Sequence, residues 1–173
     1  LVYSSLFMKK FAILSLLFAI CSCIHDVPQG ADLKVGDSIP SFSVAMNDGT
    51  VISQESVMGK PSVIVFFHTL CSDCQEELPL MQRLYDEYTS KGVVFALISR
   101  AQSSDDIESY WKENSLKMPY SAQNDRKVYE KFARERIPRV YISEKGGIIR
   151  YIFTDDPNPS YDDLMSSLES LIR

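Results

Sequence analysis

The sequence predicts an α/β domain built on a central mixed β-sheet flanked by helices. Three observations carry that expectation. The near-continuous apolar runs 62–67 and 93–98 read as strands buried on both faces. Each is followed by a segment whose apolar residues recur at three- and four-residue steps, the period of a helix. Late in the chain, two short runs flank Gly146-Gly147 as a hairpin, which makes the sheet mixed rather than wholly parallel. With 173 residues, 45% of them hydrophobic and 24% charged, the chain can hold one full core but not two.

The elements follow in order. Phe42-Ser43-Val44 and Thr50 to Ser53 flank Asn47-Asp48-Gly49, the turn signal of an N-terminal β-hairpin extension. Gly59-Lys60-Pro61 then introduces the first buried strand. Leu78, Met81, Leu84, Tyr85 and Tyr88 mark a helix that ends near Lys91-Gly92. Within it, Pro79 lacks the N–H that would reach the Gln75 carbonyl, so a kink is expected. Ser104-Asp105-Asp106 starts a helix whose apolar face is Ile107, Tyr110 and Trp111. Asp125 is expected to cap another, with Val128, Tyr129, Phe132 and Ala133 on one side. The alternating charges from Lys127 to Arg136 read as its solvated face. Val140 to Ile142 and Ile148 to Phe153 form the terminal hairpin. Ser160-Tyr161-Asp162-Asp163 opens a last helix through Leu164, Leu168, Leu171 and Ile172.

The front of the chain carries a different signal. Met8-Lys9-Lys10 precedes about ten mostly apolar residues, Phe11 to Ile20, in the layout of a secretory signal. The run is too short for a membrane span, which needs about twenty apolar residues. Residues 1–22 are thus expected to be a signal peptide starting at Met8, with Leu1 to Phe7 ahead of it. Ser22 before Cys23 fits a bacterial lipobox and Ile20 before Cys21 does not, so Cys23 is the expected lipidation site. Residues 23–34 then form a polar, lipid-anchored tether, and 35–173 the domain. This layout places the domain outside the cytoplasm, on the periplasmic side, attached to the membrane. The formal charge of −5 offers no basic field to nucleic acid.

Cys71-Ser72-Asp73-Cys74 sits between a buried strand and an amphipathic helix. A structural zinc site needs four ligands, and only His68 and His25 could join this pair, so no metal is expected. A redox role suits the placement, because a helix N-terminus favours a thiolate. Cys71 is the expected nucleophile, and Cys74, one turn inside, the resolving thiol of a redox disulfide. Asp73 opposes the thiolate, which points to a moderately oxidising pair. Glu77, three residues after Cys74, falls on nearly the same helix face and could take its proton. The residue pattern alone leaves an ordinary solvated glutamate as the alternative.

Val35-Gly36-Asp37-Ser38-Ile39-Pro40-Ser41-Phe42, the strand followed by CSDC, Glu77-Leu78-Pro79 and Arg136-Ile137-Pro138 together resemble the thioredoxin-like proteins of the TlpA/ResA group. The resemblance spans residues 34 to 173. It implies a thioredoxin-like fold and a membrane-attached, extracytoplasmic protein-disulfide reductase that uses no cofactor. Its partners would be protein thiols and disulfides and an electron donor. It further implies a cis peptide at Ile137-Pro138 facing the cysteines, and it favours a functional Glu77. Leu70 stands where the group has tryptophan and Arg139 where it has threonine. With Ile137, these two are the expected substrate contacts, although Arg139 also reads as a solvated side chain. Two other functions compete. A peroxiredoxin-like peroxidase shares the opening motif, but Ile64 and His68 occupy the positions where a proline and a Thr or Ser are expected. The other is a redox-inert binding lipoprotein with a permanent disulfide.

Overall fold

The computed structural model describes residues 32–172. The expected signal peptide, the lipidation site Cys23 and the tether up to residue 31 lie outside the described residues. Among the described residues, seven strands build a five-stranded mixed sheet and a separate two-stranded one, joined by four α-helices and two 3₁₀ turns. The small sheet is the expected hairpin, β1 (Ser43–Ala45) antiparallel to β2 (Val51–Ser53). Its turn places Gly49 at φ +85°, a conformation that favours glycine. β2 leads into a one-turn helix, α1 (Gln54–Met58), which has no marked apolar period in the sequence.

β3 (Ser62–Phe67) is buried at all six positions, as a central strand must be. It pairs parallel with β4 (Val94–Ser99) and antiparallel with β6 (Arg139–Ser143). β7 (Ile149–Thr154) extends the sheet beyond β6, and the two-residue β5 (Tyr120–Ser121) extends it beyond β4. The order is β5-β4-β3-β6-β7. α2 (Ser72–Tyr88) crosses from β3 to β4 and continues through Pro79. A 3₁₀ turn, Thr89–Lys91, closes it at Gly92, whose φ is +86°. α3 (Ser104–Glu113) is capped by the Ser103 side chain, and α4 (Tyr161–Glu169) by a reciprocal Ser160–Asp163 capping box. Among the described residues, no helix is long and apolar enough to cross a membrane.

Phe66, Phe67, Leu78, Met81, Leu84, Tyr129, Phe132 and Tyr141 are among the largest fully buried side chains. Burying each such group contributes about 1.5–3 kcal/mol. Phe66 meets Tyr129, Phe132 and Tyr141 at centroid separations of 5.3, 4.9 and 6.3 Å, in edge-on or tilted geometry.

Three expectations are corrected. The helix expected after Asp125 is only a 3₁₀ turn, Tyr129–Lys131. The Arg134 amide, which a helix would direct to the Glu130 carbonyl, donates instead to Asp32 Oδ1 at 2.8 Å. Tyr129, Phe132 and Ala133 still face the core, but they do so from a tight turn. Second, the packed domain reaches back beyond residue 35: Leu33 is buried, and its amide donates to the Phe132 carbonyl at 2.9 Å. Third, the last helix ends at Glu169, leaving Leu171 and Ile172 half-buried beyond it.

Candidate active site

β3 is a buried apolar run, so the sheet holds its C-terminal end firmly. The residues that follow, His68 to Cys71, leave the sheet at that end and deliver Cys71 as the N-cap of α2. Cys71 is half-buried and Cys74 fully buried, and neither is in a disulfide. Cys71 Sγ donates to the Ile137 carbonyl at 3.5 Å. That carbonyl precedes Pro138, and the Ile137-Pro138 peptide is cis, as the resemblance implies. A second cis peptide, Asp156-Pro157, had no signal in the sequence beyond the proline itself. Ile137 and Pro138 are both buried, so the loop presents its backbone edge to Cys71.

Burial pushes the Cys74 thiol far above its ordinary range. The adjoining Cys71 thiol and Glu77 carboxylate push the same way, and a hydrogen bond from the His68 backbone opposes them. Glu77 is 2% exposed, which rules out the solvated-glutamate alternative. Neither of its carboxylate oxygens has a hydrogen-bond partner among the described residues. Burial therefore pushes its carboxyl up to about 8. The N-cap and first two turns of α2 thus carry a half-buried thiol, a buried thiol and a buried carboxyl poised near neutrality. Asp73 lies in that first turn, half-exposed.

Leu70, immediately before Cys71, is 84% exposed, an unusual position for a large apolar side chain and one suited to contact a partner. Burial, and then the Arg100 charge, hold the His68 imidazole below its ordinary range against an opposing pull from Asp106. A neutral ring fits its geometry, since His68 Nδ1 accepts the Leu70 N–H at 3.2 Å.

Arg139 departs from expectation. It is neither solvated nor available to a substrate: it is 6% exposed, and its guanidinium donates to Asp32 Oδ2 at 2.6 Å and to the Tyr141 hydroxyl at 3.3 Å. Its register on β6 sets it opposite Phe66 of β3, in a strand buried at all five positions. Burial works against ionisation of Asp32, but the Arg134 amide and the Arg139 guanidinium outweigh it and hold that carboxyl below the usual range. Sequence reasoning missed Gln102 and Gln75, whose side chains hold the loop before Cys71. Among the described residues, no three His, Cys, Asp or Glu side chains converge as a metal site would require.

Comparison with known proteins agrees with this geometry. The thiol-disulfide oxidoreductase ResA of Bacillus cereus is 25% identical over 115 residues, 66% of each chain, so the match spans just under two thirds of that relative. ResA of Geobacillus thermodenitrificans is 23% identical over 168 residues, covering 96% of this chain and 95% of its own. The crystal structure of a thiol:disulfide interchange protein of the thioredoxin family from Chlorobium tepidum superposes with a TM-score of 0.69 at 22% identity. That superposition covers 83% of this chain and all of the other, and shows that the fold is thioredoxin-like. The AhpC/TSA family model matches residues 35–152, which run from the first packed loop through the cysteine pair and the cis-proline to the last strand, and the chain belongs to that family.

Proposed function

We propose that this protein is a thiol–disulfide oxidoreductase acting on disulfides of extracytoplasmic proteins. The observation that carries the reading is the asymmetry of the cysteine pair: a half-buried Cys71 at a helix start and a buried Cys74 beside an unpartnered, buried Glu77. The Cys71 thiolate attacks one sulfur of a substrate disulfide, forming a mixed disulfide and releasing the other sulfur as a thiolate. The Cys74 thiol then gives its proton to Glu77 and attacks Cys71 Sγ. A Cys71–Cys74 disulfide forms and the second substrate thiolate leaves, so two electrons pass from the protein to the substrate. Glu77 suits its role because a carboxyl near neutrality can both accept and return a proton at working pH.

The Ile137 carbonyl, beside Cys71 Sγ, is where a substrate backbone would align, and exposed Leu70 offers an apolar contact next to it. An electron donor must return the pair to the dithiol for a second turnover. The front of the sequence supports export and attachment through lipidated Cys23. Labelling with a fatty acid, lost in Cys23→Ser together with the membrane fraction, would establish that attachment. For the chemistry, the reduced protein should reduce a protein disulfide stoichiometrically, one Cys71–Cys74 disulfide appearing for each substrate disulfide lost. Loss of dithiol only with hydrogen peroxide, leaving protein disulfides untouched, would replace this function with a peroxidase.

A further inference from the structure

We propose that Gln102 is a positioning residue for Cys71, acting through a clamp on Thr69. The loop 68–71 lies between the last residue of β3 and the first of α2, so neither the sheet nor the helix satisfies all its backbone groups. Side chains do so instead. Gln102 Oε1 accepts the Thr69 N–H at 3.0 Å, and Gln102 Nε2 donates to the Thr69 hydroxyl. Gln75 Nε2 donates to the Thr69 carbonyl at 2.7 Å. Thr69 is thereby held at its N–H, its hydroxyl and its carbonyl.

The clamp is anchored in turn. The Gln102 amide donates to the Gln123 carbonyl at 2.7 Å, and the Gln102 carbonyl accepts from Ser99 Oγ at 3.4 Å. Ser99 is the last residue of β4 and is buried, so Gln102 transmits the rigidity of the sheet to the loop. Both Thr69 and Gln102 are buried, at 3% and 5% exposure, so each lost bond would leave a group with no water to replace it.

On the α3 side of the loop, apolar packing does not do this work. Leu70 points outward, and a groove of about 590 Å³, lined by Thr69, Leu70, Gln75, Gln102 and Tyr110 among others, undercuts the loop on the α3 side. Hydrogen bonds therefore set where Cys71 Sγ stands relative to the Ile137 carbonyl and to an incoming disulfide. Displacing a reacting atom by about 1 Å can slow its reaction about a hundredfold.

The inference rests on Cys71 being the attacking thiol, and its test is chosen to separate the two. Wild type, Gln102→Leu and Gln102→Glu are compared in three measurements: alkylation of Cys71 by iodoacetamide across pH, reduction of a protein disulfide, and the redox potential in glutathione buffers. Leucine keeps the approximate volume and loses both bonds. Glutamate keeps an acceptor for the Thr69 N–H and a second for its hydroxyl. Gln102→Leu is expected to slow attack by about tenfold to a hundredfold and to displace the pH profile and potential, while Gln102→Glu, which keeps both acceptors, slows attack less than Gln102→Leu does at a pH low enough to keep its buried carboxyl neutral. A Gln102→Leu protein matching wild type in rate, pH profile and potential overturns the proposal, whatever its melting temperature. If that variant does not fold, Thr69→Val removes the hydroxyl alone and should slow alkylation in the same direction, with no slowing counting against the clamp. Should wild type alkylate at Cys71 yet reduce no disulfide, the oxidoreductase reading fails while the alkylation series still decides the role of Gln102.

Discussion

Replacing Glu77 with glutamine should make the stability of the reduced protein less dependent on pH, and the size of the effect follows from burial. The carboxyl is raised from an ordinary 4.5 to about 8 because it is enclosed with no hydrogen-bond partner. A rise of that size corresponds to about 5 kcal/mol favouring the protonated form, an upper bound because water reaching an ionised group relaxes the penalty. In the window between those values the folded state holds a proton that the unfolded chain has lost. Stability is therefore fully present below the unfolded value and falls as pH rises through the folded one. Glutamine copies the shape of the neutral acid. Urea unfolding should find wild type and Glu77→Gln nearly equal at about pH 4, with the variant more stable by up to about 5 kcal/mol at about pH 9. Burial raises the Cys74 thiol as well, so the fold also loses stability where the unfolded chain's thiol ionises; because Glu77 helps raise that thiol, both proteins are compared with Cys74→Ser in place. The same substitution should slow resolution of a mixed disulfide by about tenfold to a hundredfold, because the buried proton acceptor is gone. An identical stability difference at both ends of the pH range would show that Glu77 is not buried as a neutral acid.

Two further perturbations follow from the structure. Asp32→Asn removes the partner of buried Arg139 and should cost about 1–2 kcal/mol in urea unfolding near neutral pH, less than a fully enclosed pair because the Asp32 side chain is 43% exposed. Since that carboxyl sits below its usual range, its contribution is present above the unfolded value and lost as pH falls, so the variant should converge on wild type in acid; a constant gap would contradict the ion pair. Leu70→Asn should leave stability within about 0.5 kcal/mol, as the side chain is already in water, while raising KM for a protein disulfide and leaving attack on a small disulfide unchanged. An unaltered KM would remove Leu70 from the substrate surface.

Much of this was legible in the sequence because burial and period coincide there. β3 occupies the expected 62–67, since six apolar-rich residues with almost no alternation have little choice but a central strand. α3 begins at the expected Ser104, with Ser103 just before it as the cap, and Ser160 caps α4 where its start was expected, because short hydroxyl side chains satisfy the first free amides. The cysteine pair and Glu77 were visible for a related reason: their three-residue steps place them on nearly one face at the start of a helix. What escaped depended on residues far apart in sequence. Arg139 looks like a solvated cation until Asp32, 107 positions earlier, is folded against it. Gln102 looks like a loop residue until it meets Thr69, 33 positions before it. The helix expected near Tyr129 had the right apolar residues, but an Asp32 carboxylate took the amide that would have extended it.

In the proposed mechanism Cys71 attacks and Cys74 resolves, a division that follows from one being half-buried and the other enclosed. Mass spectrometry of proteins trapped by each single variant tests it most directly. Cys74→Ser should accumulate mixed disulfides, every one through Cys71, and Cys71→Ser should accumulate none. Equal trapping by the two variants, or no trapping by Cys74→Ser under any redox condition, would contradict it.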